Sequence, residues 1–189
     1  MSFDRPRELT DPKAIRALAH PVRLALLEAL ADAGTLTATE AGERVGESPA
    51  NASFHLRQLA KYGYVVEAEG GTGRRRPWKL KSLGMRWTDV HDDEELAGAA
   101  RALGQVTFDR YLDRARRALH ERQAQPEEWR VVTGVNQMRL YLTPAELKAI
   151  DDEIVEILLT RFADRRTVSP EQPDDAERVE ILTMAYRVS

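Results

Sequence analysis

The sequence predicts a mainly helical chain with α+β character, and three observations carry that prediction. Apolar residues recur at helical spacing through most of the first 61 positions, in runs that open on cap residues or prolines. A strand pattern, a glycine cluster and a second strand pattern follow within the next twenty positions. The second half then opens on one long amphipathic stripe before returning to mixed strand and helix patterns.

The elements follow in order. Thr10 or Asp11 caps a first helix with Pro12 at its first position, which places Ile15, Leu18 and Ala19 on one face and ends near His20. Pro21 starts a second, carrying Val22, Leu24, Ala25, Leu27, Ala29 and Leu30 and stopping at Gly34. Thr37 with Glu40 three residues on forms a capping box for a short third helix that Gly46 closes. Ser48 and Pro49 open a fourth, which runs to about Lys61 and stops at Gly63. Residues 64–66 and 74–80 then read as strands joined through Gly70, Gly71, Thr72 and Gly73. Helix, helix, helix-turn-helix and hairpin in that order is the layout of a winged helix domain. It is expected to fill residues 1–83, with residues 84–189 forming a dimerisation helix and a small α+β domain that leaves room for an effector.

In that second part, 93–125 reads as one helix with Leu96, Ala99, Ala100, Leu103, Val106, Tyr111, Leu112, Ala115 and Leu119 on its stripe. The helix is too long for one small core to absorb, so its stripe is expected to pair two protomers. Pro126 ends it, strands are expected at 130–135, 138–142 and 178–188, and Thr143-Pro144-Ala145-Glu146 starts a last helix. Trp129, Tyr141 and Tyr186 are expected to fill the core beneath that helix rather than to line a pocket.

Composition narrows the function classes. Zero cysteines exclude disulfides, thiolate metal sites and cysteine nucleophiles. No apolar run is long enough to cross a bilayer, and the first fifteen residues lack the apolar core of a secretory signal, so a cytoplasmic, membrane-free protein is expected. The formal net charge of −3 hides an asymmetry: residues 1–90 hold 14 basic against 11 acidic side chains, residues 91–189 hold 14 against 20. Between Ser48 and Arg86 eight basic residues face two acidic ones, and a polyanion meets such a strip first because screening confines charge to about 8 Å.

The fourth helix is the informative segment. On a helical wheel Pro49, Ala52, Ser53, Leu56, Leu59 and Ala60 fall on one face, leaving Asn51, Phe54, His55, Gln58 and Lys61 on the other. Amide and imidazole groups at that spacing pair with base edges in a major groove, and an outward phenyl ring suits a thymine methyl or a partner protein. The downstream Arg74-Arg75-Arg76 run sits where a hairpin tip meets phosphate or a minor groove.

The stretch Ala17-Leu18-Ala19-His20-Pro21-Val22-Arg23-Leu24-Ala25-Leu26-Leu27, followed by Ser53-Phe54-His55-Leu56-Arg57-Gln58-Leu59 and Gly63-Tyr64-Val65, resembles the ArsR-type winged helix family of bacterial repressors. The resemblance covers about the first 80 residues. It implies a homodimer on a palindromic operator in double-stranded DNA, with the fourth helix in the major groove and the hairpin beside it. By the same resemblance Ser53 and His55 join the DNA-facing group, although the wheel sets Ser53 nearer the buried edge. The candidate DNA-binding residues are thus Ser48, Asn51, Ser53, Phe54, His55, Arg57, Gln58, Lys61, Arg74, Arg75 and Arg76. The alternative is a winged helix that binds protein rather than DNA.

No metal, cofactor or catalysis is expected. Metal sensors of the family use cysteine thiolates, absent here, and His91 beside Asp92-Asp93-Glu94-Glu95 reads as an acid-rich helix start rather than a ligand set. Glycines 70, 71 and 73 lie between strands and not before a helix, so no phosphate-binding loop is present, and no nucleophile stands beside a base.

Overall fold

A computed structural model of the chain describes residues 7–69, 76–82, 85–162, 165 and 172–188. The elements run β1 (Arg7–Glu8), α1 (Pro12–Leu18), α2 (Pro21–Ala33), β2 (Thr35–Leu36), α3 (Ala38–Val45), α4 (Pro49–Lys61), β3 (Val65–Glu67), β4 (Trp78–Leu80), β5 (Met85–Arg86), α5 (Glu94–Glu121), α6 (Glu127–Val132) and α7 (Pro144–Arg161). The fold is mainly α with a small sheet. It divides into two compact units, residues 1–110 with 166–168 and residues 111–165 with 169–189.

The helix starts in the first unit form where the side-chain chemistry provides for the free N–H groups. Asp11 accepts from the Lys13 amide at 2.9 Å, His20 Nδ1 from the Val22 amide at 3.2 Å and Ser48 Oγ from the Asn51 amide at 3.2 Å, each just before a proline that needs no acceptor. Thr37 and Glu40 close a reciprocal capping box on α3. Ile15, Leu18, Leu26, Leu30, Leu56, Leu59 and Val65 are fully buried where α1, α2, α4 and β3 converge. Each such side chain contributes about 1.5–3 kcal/mol through the area it removes from water.

The wing is a three-stranded antiparallel sheet in the order β2-β4-β3, with Thr35 opposite Lys79 and Glu67 opposite Trp78. β1 pairs in parallel with β5. From β1, Arg7 sends its guanidinium to the carbonyls of Tyr62 and Gly63, both at 2.9 Å, and so satisfies acceptors at the C-terminal end of α4.

The first part of the α5 stripe is used inside the first unit. Ala97, Ala99, Ala100 and Leu103 are buried, and Ala99 and Leu103 join the same core. The stripe's first three turns therefore pack within the unit, which leaves its later turns for the expected pairing of two protomers.

In the second unit, α7 starts as its signature requires, with Thr143 and Glu146 in a reciprocal capping box. The strand expected at 130–135 is instead preceded and partly replaced by α6, because Pro126, Glu127 and Glu128 make a helix start that outweighs the β-branched pair Val131-Val132. Neither 138–142 nor 178–188 is hydrogen-bonded into a sheet. Tyr141 and Tyr186 are exposed and Trp129 is half-buried, so the expected aromatic core beneath α7 does not form within the chain. Among the described residues of this unit none is buried.

Candidate nucleic-acid interface

The turn between α3 and α4 fixes the outward edge of α4. Gly46 ends α3 at φ +73°, a left-handed conformation that favours glycine. Gly42 lies where a Cβ would stand 2.7 Å from the Glu47 carbonyl oxygen and 3.3 Å from the Ala52 side chain, so only glycine lets the two helices approach this closely.

Seated this way, α4 buries Ala52, His55, Leu56 and Leu59, the i, i+3, i+4, i+7 seam of a helix. Ser48, Phe54, Arg57 and Lys61 are exposed, and Asn51, Ser53 and Gln58 are half-buried. His55 is thus a correction: it was expected to face outward and is 6% exposed. The physical reason is angular, since position 55 lies about 60° from the centre of the Ala52-Leu56-Leu59 seam and position 53 about 90° from it. The imidazole's polarity suggested solvent, but its angle puts it inside.

The His55 ring sits 4.6 Å from the His20 ring and meets the Phe54 ring edge-on at 5.3 Å. Its Nδ1 is buried with no hydrogen-bond partner. Burial, then the neighbouring His20 and Arg23 charges, hold its pKa below the ordinary imidazole value, with Glu47 opposing. Burial does the same for His20, assisted by Arg23. Burial thus disfavours the charged imidazoles, and His55 packs behind Phe54 rather than facing a groove.

The outward groups are partly pre-positioned. Asn51 Nδ2 donates to Glu47 Oε2 at 2.5 Å, and Arg57 donates to Ser53 Oγ at 2.6 Å one turn back. Ser53 is thus a support for an exposed guanidinium. Glu47, a residue the sequence reading leaves without a role, orients the Asn51 amide, and the i, i+4 spacing is the signal that points to it.

On the wing, Arg76 and Lys79 are exposed. Arg76 pairs with Glu67 at 2.8 Å, in a bridge of which both side chains remain about half exposed. Arg74 and Arg75, with the glycine-rich tip, lie outside the described residues. Among the described residues no three His, Asp or Glu side chains gather as a metal-binding group, and no helix is long and apolar enough to cross a membrane.

Residues 18–67 match a family model described as a helix-turn-helix domain. The match spans α2 through β3, the elements that set the geometry of α4, and it marks the chain as carrying the DNA-binding domain of a transcription regulator. No curated protein matches the chain.

Proposed function

We propose that the chain is a cytoplasmic transcription regulator of the ArsR type, a non-enzymatic repressor that binds a palindromic operator as a homodimer. Residues 1–83 form the DNA-binding domain in this reading, with α4 in the major groove and the basic hairpin on the flanking backbone. The observation that carries it is the edge of α4: Phe54, Arg57 and Lys61 are exposed and Asn51 and Gln58 half-buried on the side away from the buried seam, with Ser48 exposed at the N-cap, on a helix that follows a glycine-locked turn. Asn51 and Gln58 read bases, Phe54 meets a thymine methyl, and Ser48, Arg57, Lys61 and Arg74 to Arg76 hold phosphates. His55 and Ser53 act from beneath, through packing and through Arg57.

Selection of operator sequences from random duplexes, followed by binding of the selected site and of random DNA across a salt series, tests this. Gln58→Ala is expected to cost about 1–3 kcal/mol on the selected site and to relax preference at one position, leaving random-duplex binding unchanged. Replacing Arg74, Arg75 and Arg76 by Ala lowers affinity for every sequence and flattens the salt dependence. Equal losses on selected and random DNA for Gln58→Ala overturn base reading, and negligible affinity for any duplex at low salt makes the domain a protein-binding module. Two half-sites one helical turn apart, about 34–36 Å, are the expected footprint of the dimer.

A further inference from the structure

We infer that Arg23 is a further DNA contact: its guanidinium holds a phosphate on the flank of α4 away from Arg57, so that one arginine brackets the reading edge on each side. This rests on α4 lying in the major groove, as proposed above, and adds a residue outside both α4 and the wing.

The first ground is the state of the side chain. Arg23 stands in the first turn of α2 and is half-buried. Its Nε is enclosed without a hydrogen-bond partner, and among the described residues no carboxylate lies within salt-bridge distance of its guanidinium. The contrast is Arg110, the other described arginine with an enclosed, unpartnered Nε, whose terminal nitrogen holds Glu28. Burial lowers the Arg23 pKa from its ordinary value, as for a cation that has given up water without gaining an anion. Such a guanidinium gains from any anion that reaches its open end.

Placement is the second ground. α2 begins against the middle of α4, where the His20 ring at the α2 N-cap lies 4.6 Å from the His55 ring. Arg23 is close enough for its charge to act on both imidazoles, and Tyr62 at the end of α4 acts on Arg23 in turn. Glu47, the carboxylate that acts on the same imidazoles, is engaged by Asn51 and leaves the arginine unneutralised. The positive end of the α2 dipole adds to the same field.

The α4 wheel then sets the geometry. At about 100° per residue, Asn51, Phe54, Gln58 and Lys61 share the outward arc. The exposed Arg57 lies about 60° to one side of Phe54, whereas His55 and Tyr62, beside which Arg23 sits, lie about 80–100° to the other. A helix in a major groove has one sugar-phosphate strand on each side, across a width of about 12 Å. Arg57 meets one strand and Arg23 the other.

Fluorescence anisotropy with the full-length protein, on the selected operator and on random duplex across a salt series, tests the contact. Arg23→Gln is expected to weaken both duplexes by the same factor and to reduce the slope of log affinity against log salt by about 0.9, the share of one phosphate. Arg23→Lys keeps the charge and should keep the slope. A methylphosphonate scan of the operator, which neutralises one phosphate at a time, locates the partner. In each half-site one position should cost the wild type affinity and cost Arg23→Gln nothing further, while Arg57→Gln is blind to a position on the opposite strand. Circular dichroism and thermal melting establish folding before binding is scored. Should Arg23→Gln not fold, the wild-type scan decides alone, and sensitivity confined to one strand beside α4 counts against the contact. An unchanged slope in folded Arg23→Gln, additive losses at every neutralised phosphate, or both arginines reporting the same strand overturns the proposal while leaving α4 in the groove. Negligible wild-type affinity for any duplex removes the regulator reading and this contact with it.

Discussion

The two units differ in where their apolar residues go. The first places Ile15, Leu18, Leu26, Leu30, Leu56, Leu59, Val65 and Leu103 in one closed interior, while the second has Leu140, Tyr141, Ile150, Ile157, Ile181 and Tyr186 at its surface. Both halves carry the patterns of amphipathic helices and alternating strands. The difference teaches that periodicity specifies which face is apolar but not which molecule covers it. The first unit satisfies its pattern within one chain, and the second leaves the apolar side chains of its described residues at the surface.

The largest expected effect tests that contrast. Leu56→Ala removes a fully buried side chain from the α4 seam and should cost about 2–5 kcal/mol of stability, read as the shift in urea midpoint. Ile150→Ala on α7, a side chain already 39% exposed, should change the first unit's transition by no more than about 0.5 kcal/mol. Under the proposed homodimer it should instead make the second unit's transition more sensitive to protein concentration, because a face that a copy covers is stabilised by mass action. Equal, concentration-independent costs for the two truncations would erase the distinction between a closed core and an open one.

Gly42→Ala ranks next. Its added methyl meets a backbone oxygen, which cannot swing aside as a side-chain end can. We expect a loss of about 1–3 kcal/mol in thermal or urea unfolding, with DNA affinity falling further because α4 is re-aimed. Unchanged operator affinity in a folded Gly42→Ala protein would show that the turn does not set the reading edge.

Much of the first unit was legible because its signals are local. Asp11-Pro12, His20-Pro21, Thr37 with Glu40, and Ser48-Pro49 each announce a helix start within four residues, and each start forms as expected. What was not legible depends on distant pairing or on angle. Thr35–Leu36 and Arg7–Glu8 are strands of two residues, too short to show alternation, and exist only because β4 and β5 come alongside. His55 was misplaced because residue class outweighed helical angle, and Glu47 was passed over because its role is to hold Asn51 rather than to face outward. The extended 138–142 and 178–188 segments carry genuine strand patterns, but a ladder is a property of two strands and the sequence names only one.

The packed His20–His55 imidazole pair gives the first unit a pH dependence of its own. Both His20 and His55 have pKa values lowered in the folded state, chiefly by burial. The unfolded chain, with imidazoles near the ordinary value of about 6.5, therefore binds more protons than the folded chain as pH falls below that value. Stability is full above about pH 7 and declines as pH drops through the window between the unfolded and the lower folded values. Urea midpoints at pH 7.5 and 5.5 should show the loss, and His55→Gln should reduce its slope. A midpoint that rises on acidification reverses the sign and overturns the lowered imidazole values.

The smallest stability effect belongs to the wing and has the clearest functional readout. The Glu67–Arg76 bridge spans exposed groups, so solvent screening limits its contribution to about 0–1 kcal/mol. Glu67→Gln should leave the melting temperature within a degree or two while releasing the Arg76 guanidinium and deleting an acidic group from the basic strip. Affinity for random duplex should then rise and its salt dependence steepen by less than one counterion, since Arg76 becomes available to a phosphate. Arg76→Ala should do the reverse at equally small cost in stability. If both variants shift duplex binding in the same direction, the bridge is not competing with DNA for Arg76, and the wing contacts the backbone through other cations such as Lys79.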